Sequence, residues 1–235
     1  MSINLDKRKI EPRKMSFKSL EDIINRDLDD FDEYSFLLET VFEQKQSKLS
    51  KKIDREINTD REYDEQEIIE FYLDDLNQVG AVFPSFFRKS LLISLYSLLE
   101  NELKKLCEKI EFSLIEEQKY KEGNGNYVNN AKLYINSACQ INSAFLGETW
   151  DIIDKYRRTR NILIHDGGRV YHDSDKYKKI EVFISTESET KYIEVTNSGY
   201  MFFEKEFVDL FMATIKNLFK ELFLEINRKS ELFQS

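Results

Sequence analysis

Histidine is scarce in this chain of 235 residues: only His165 and His172 carry an imidazole. The first follows Arg157, Arg158, Arg160 and Asn161 and is trailed by Asp166, Gly167 and Gly168. These are the residue types that phosphate chemistry needs. An arginine fork neutralises and orients a phosphate. An imidazole titrates near neutral pH and moves protons. An asparagine amide can position either partner. RNA carries its own nucleophile, the 2′-hydroxyl. An enzyme acting on it need only deprotonate that group, stabilise the charged phosphorane and protonate the leaving oxygen, without a metal. One histidine per motif is too few for a separate acid and base, so a two-fold dimer supplying two copies of His165 fits this chemistry better.

Charge and helical spacing strengthen the reading. Residues 155–179 hold eight Lys or Arg against three Asp, a local charge of +5 in a chain whose net charge is −9, so the remainder carries −14. A cationic patch on an acidic protein suits an anionic ligand at that spot and argues against a surface that coats nucleic acid everywhere. On a helix Arg157, Asn161 and His165 fall at i, i+4 and i+8 and form one polar ridge, with Arg160 about 100° round from Asn161. Ile162, Leu163 and Ile164 occupy the other sides, and His165 lies in the last turn before the glycines.

The elements that must position this ridge are mostly helical. Only 7 Gly and 2 Pro are present, too few for a turn-rich sandwich or barrel. Residues 1–15 read as a charged tail. Apolar periodicity predicts a helix over about 16–52, capped near Ser19, then a linker over 53–63 and a second helix over 64–79 stopped by Gly80. Pro84 opens the longest apolar-periodic run, 85–118, read as the central core helix. A polar loop (119–129), a short helix (127–140) and a turn near Gly147 precede the helix from Trp150 to His165. Residues 180–186 and 192–196 alternate as strands of a hairpin, with a third short strand over 200–203. The final helix spans about 205–228. The expected fold is an antiparallel bundle of about four helices with a small hairpin near 180–203, preceded by an acidic helical extension (1–80); residues 81–235 form the bundle. No 18-residue apolar stretch and no apolar leader region appear. Cys107 and Cys139 lack metal spacing and read as buried apolar residues in a reducing, cytoplasmic setting.

The motif Arg160-Asn161-x-x-x-His165, with Gly168 just beyond, resembles the signature of HEPN domains, the higher eukaryotes and prokaryotes nucleotide-binding family. The resemblance covers about residues 85–228; residues 1–80 stand outside it. It implies a metal-independent endoribonuclease that dimerises so that two motifs face each other in one cleft. It also implies a setting in prokaryotic toxin–antitoxin, abortive-infection or antiviral systems, with an antitoxin or other regulatory protein as a possible partner. Carried over, Arg160 and His165 form the catalytic pair, Asn161 assists them, and Glu100 matches the acidic residue that some subgroups place on a facing helix. Some toxins of the family carry a nucleotidylated tyrosine two residues after the histidine; here that residue is Gly167. Arg157, Arg158 and Arg169 would guide the RNA backbone. No cofactor is expected.

Plainer readings stand beside these. A histidine in a last helical turn is favoured by the helix macrodipole. Arginines on a helix often form a solvated face. His172 reads as a loop residue, and Trp150 and Tyr156 as core or interface aromatics. The alternative function is a non-catalytic HEPN module that binds RNA, a nucleotide or a protein partner, or a helical adaptor docking through the acidic N-terminal helices.

Overall fold

The computed structural model describes residues 15–59, 63–113, 120, 125–142, 144–184 and 192–229. The chain is mainly helical. Its elements are α1 (Phe17–Thr59), α2 (Glu65–Asn77), α3 (Phe83–Ser113), α4 (Tyr127–Ala138), α5 (Gly147–His165), α6 (Asp175–Ile184), β1 (Ile193–Val195), β2 (Met201–Phe203) and α7 (Lys205–Arg228). The expected N-terminal tail up to residue 14, the end of the core helix beyond Ser113 and residues 119 and 121–124 of the polar loop lie outside the described residues.

Several expectations need correction. Ser16, not Ser19, starts α1: its hydroxyl accepts from the Ser19 amide at 3.0 Å. The supposed linker over 53–63 is helical as far as Thr59. Its apolar residues Ile53 and Ile57 sit one turn apart and pack with Leu49 against Ile68, Tyr72 and Leu76 of α2. Gly80 does not stop α2. The chain instead passes through one wide turn, residues 78–82, in which the Phe83 amide donates to the Gln78 carbonyl five residues back. Pro84 explains it: a proline has no N–H and crowds the carbonyl four residues before it, and a widened turn relieves both problems. By length and composition the continuous helical stretch Glu65–Ser113 contains an 18-residue segment apolar enough to cross a membrane, and 39% of that segment is buried in the protein.

The segment after Asp175 departs furthest. Residues 180–184 are the end of α6, not a strand, because Ile180, Phe183 and Ile184 recur at helical spacing and are all buried. The hairpin consists of the other two expected strands. Ile193 pairs with Phe203, Glu194 with Phe202 and Val195 with Met201, antiparallel. At its turn Gly199 has φ +83°, and a Cβ there would stand 2.9 Å from the Val170 carbonyl oxygen; only glycine meets both demands. The expected turn near Gly147 is formed by residues 144–146, and α5 opens at Gly147 rather than at Trp150.

The chain divides into two compact units. The first contains residues up to Leu28, then Ser97–Trp150 and the chain from Ile215 on. Its core is aliphatic and aromatic, with Ile24, Leu103, Ile135, Trp150 and Phe219 all buried. Cys107 and Cys139 are buried there as free thiols, and burial pushes both well above the ordinary thiol range, Cys139 to about 12. Glu102, also buried, accepts from Lys105 Nζ at 2.6 Å.

The second unit contains Asp29–Tyr96 and Asp151–Thr214. Its core is aromatic: the Tyr156 ring stacks on Phe211 at 4.1 Å and meets Phe207 at 4.8 Å and Phe183 at 4.7 Å. One ion pair ties three of its elements together. Arg88 of α3 donates from Nε and Nη2 to the two carboxylate oxygens of Glu39 on α1, each at 2.7 Å, and from Nη1 to the Phe203 carbonyl of β2 at 2.8 Å. The side chains are 14% and 5% exposed, so each charge depends on the other.

Losing one partner of such a buried pair should destabilise by about 3–5 kcal/mol, whereas exchanging both for apolar residues should be milder than the sum. Urea unfolding of the wild type, Glu39→Leu, Arg88→Met and the double variant measures this; additive losses would mean the pair is not coupled.

Candidate functional site

Helix α5 has two faces. Ile153, Tyr156, Thr159 and Ile162 are buried. Tyr156 is fully buried and its hydroxyl donates to the Phe207 carbonyl of α7 at 2.9 Å. That bond fixes the roll of α5 about its axis, so the opposite face carries Asp154, Arg157, Arg158, Asn161 and His165.

The end of α5 is sharply turned. Gly167 and Gly168 both have positive φ, 61° and 75°. The Gly168 amide reaches back to the Ile162 carbonyl at 3.1 Å, and the Gly168 carbonyl then accepts from the Met201 amide at 3.1 Å. The Val170 amide donates to the Gly199 carbonyl at 2.8 Å. The chain therefore leaves His165, runs along the hairpin edge and re-enters as α6 beside α5.

Between these two helices lies a groove of about 400 Å³. Arg157, Arg158, Asn161 and His165 line it from α5, and Lys176 and Lys179 from α6. The expected ridge of Arg157, Asn161 and His165 thus borders a single cavity. His165 is exposed, and among the described residues its imidazole has no hydrogen-bond partner. The two lysines of α6 belong to the +5 charge cluster, but the sequence gives them no place at the site. Reading residues 180–186 as a strand hides the helix that carries them.

The cations differ in how they are held. Asp154 accepts from Arg157 Nε at 2.8 Å and from Arg158 Nε at 2.7 Å, one oxygen to each. Lys176 Nζ donates to both oxygens of Asp166 at 2.5 and 2.6 Å. Lys179 has no ion pair among the described residues. The groove is left with a positive excess even after these pairings.

Arg160 is not on the groove wall. Its guanidinium lies 5.8 Å over the ring of Tyr96, and its Nε is buried without a hydrogen-bond partner among the described residues. Its Nη1 donates to Asn161 Oδ1 at 3.1 Å. Arginine has no acceptor, so the atom facing it must be the amide oxygen. The Asn161 amide is thereby oriented with its Nδ2 hydrogens free to donate elsewhere.

The other nominated residues are not among those that line the groove. Arg169 lies over the Tyr200 ring, its Cζ 4.2 Å from the centroid, and donates to the Tyr200 hydroxyl. His172 sits in a turn and its ring meets Tyr177 at 4.8 Å. Glu100 is on the part of α3 that belongs to the first compact unit. Trp150 and Tyr156 are core aromatics. Among the described residues no three His, Cys, Asp or Glu side chains cluster as metal ligands.

Asp154 gives a pH test. Desolvation opposes its ionisation, but hydrogen bonds from Arg157 and Arg158 outweigh that and hold the carboxyl below its ordinary value of 3.8. A depressed folded pKa adds stability that is complete above the unfolded value and lost as pH falls through the folded one. The stability gap between wild type and Asp154→Asn should therefore be widest at neutral pH and close below about pH 4, as read by thermal melts along a pH series; a gap that persists into acid would show that the carboxylate charge is not what matters.

Compared with protein-family models, curated proteins and solved structures, the chain matches none.

Proposed function

We propose that this chain is a metal-independent endoribonuclease of the HEPN type, working as a homodimer in the cytoplasm of a prokaryote as a toxin or antiviral effector. The observation that carries the proposal is the cationic groove at the end of α5, with an exposed imidazole on its wall beside an oriented amide and two arginines. An antitoxin or other regulatory protein fits as a further partner. In this reading the helices from α3 to α7 form a HEPN-like bundle, with the hairpin inserted before α7 and residues 1–80 as an appended region.

In this mechanism one His165 takes the proton from a 2′-hydroxyl. The 2′-oxygen bonds to phosphorus and the bond from phosphorus to the 5′-oxygen breaks. The partner's copy of the same imidazole gives its proton to that 5′-oxygen. The products are a 2′,3′-cyclic phosphate and a 5′-hydroxyl. Arg157, Arg158 and Lys179 supply positive charge where the phosphorane gains negative charge. Asn161 donates from its free Nδ2 to a phosphate oxygen, and Arg160 holds that amide in place. Glu100 keeps only the role the family resemblance gives it.

The test is cleavage of mixed cellular RNA in EDTA by purified wild type, His165→Ala and Arg160→Ala, matched for folding and dimer content. Cutting that leaves 2′,3′-cyclic ends should fall by about 10²–10⁴ in His165→Ala, the usual contribution of a general acid or base. Arg160→Ala should lose most of its rate as well. Cutting that survives both substitutions would place the chemistry elsewhere. A folded dimer that binds RNA and leaves it intact would make this a binding module instead.

A further inference from the structure

Beside the groove lies a second pocket, which shares the Asp166 and Lys176 ion pair with it as a common wall. Arg169, Tyr171 and Asp175 also line it. We propose that this pocket takes the base next to the scissile phosphate and that the base is guanine. The inference rests on the ribonuclease reading of the adjoining groove.

Two flat groups are presented for stacking. Tyr171 is 59% exposed. Its Cδ1 and Cε1 lie where a side chain on residue 199 would stand, 3.3 and 3.2 Å from an ideal Cβ there. The ring is thus backed by a bare glycine turn and open elsewhere. Arg169 holds its guanidinium over the Tyr200 ring, Cζ 4.2 Å from the centroid, and a guanidinium plane is a surface on which bases stack. An exposed aromatic and an arginine plane beside a cationic groove are the parts with which proteins hold a splayed single-stranded base.

The polar lining selects among bases. Asp175, exposed in the first turn of α6, has no hydrogen-bond or ion partner among the described residues. An ionised carboxylate only accepts. Guanine alone presents two adjacent donors, N1–H and N2–H₂, to such a group. Adenine and cytosine set one amino donor beside a ring-nitrogen acceptor, which a carboxylate repels, and uracil offers one donor between two acceptors. Guanine also carries O6 and N7 as acceptors, which suit the N–H that Lys176 keeps free of Asp166. Asp166 is less suited to the base, because both its oxygens are already taken by Lys176.

The experiment uses hexanucleotides of uridine with one central A, C, G or U. Fluorescence anisotropy with the 2′-O-methyl forms, which cannot be cut through the 2′-hydroxyl, reads binding. The unmodified RNAs read cleavage. Wild type should bind the guanosine hexamer about tenfold or more tightly than the others, the scale of one good bidentate base contact, and should cut at the bond beside it. Asp175→Asn should collapse that preference toward unity, and Tyr171→Ala should weaken binding whatever the central base. Equal binding of all four by wild type, or a preference that survives Asp175→Asn, would overturn the guanine assignment while leaving the ribonuclease reading intact. Preferential guanine binding with no cleavage would do the reverse.

Discussion

The geometry of the groove depends on the burial of one tyrosine. Tyr156 sits one helical turn before Arg160 and is fully enclosed, with three aromatic neighbours and a hydrogen bond from its hydroxyl to α7. Well-oriented ring pairs add about 0.5–1.5 kcal/mol each beyond the burial of their area. The hydroxyl adds direction: a buried phenol must find an acceptor, and the only roll of α5 that satisfies it turns Asn161 and His165 outward. A phenylalanine there would fill the same space and leave the roll less strictly set.

With α5 so fixed, electrostatics sort its three arginines into different duties. Arg157 and Arg158 share one carboxylate, which keeps two like charges side by side without full mutual repulsion. Each still has donors left for an anion, because an arginine carries five N–H groups. Arg160, about 100° round the helix from Asn161, is drawn over an aromatic ring instead. Its burial with one nitrogen unsatisfied among the described residues is costly, and what that position achieves is control of a neighbouring amide.

Much of this is legible in the sequence, and the reasons are local. The Arg157, Asn161 and His165 ridge follows from helical spacing alone. The final helix can be read with its observed ends because apolar residues recur along it without interruption. What escapes is whatever depends on partners distant in the chain. The Lys-Tyr-Lys-Lys-Ile-Glu-Val-Phe-Ile stretch at 176–184 reads equally as an alternating strand, since β-branched and aromatic residues dominate its second half; only the burial of Ile180, Phe183 and Ile184 together decides for a helix. Misreading it removes one wall of the groove. The inward direction of Arg160 is also hidden, because its partner Tyr96 belongs to another helix far earlier in the chain. Glu39 and Arg88, 49 residues apart, give no sign of pairing within a chain so rich in both charges.

The wide turn at 78–82 sets the relative phase of two helices. Each residue of an α-helix advances the spiral by about 100°. A turn that absorbs one extra residue therefore offsets the apolar stripe of α3 from that of α2 by about that angle. Ile68 and Tyr72 can then face Ile53 while Leu91, Leu92 and Leu95 face a different core. Two helices that look continuous along their axis thus behave as separately indexed surfaces, and their sequences are freed from sharing a single periodic frame.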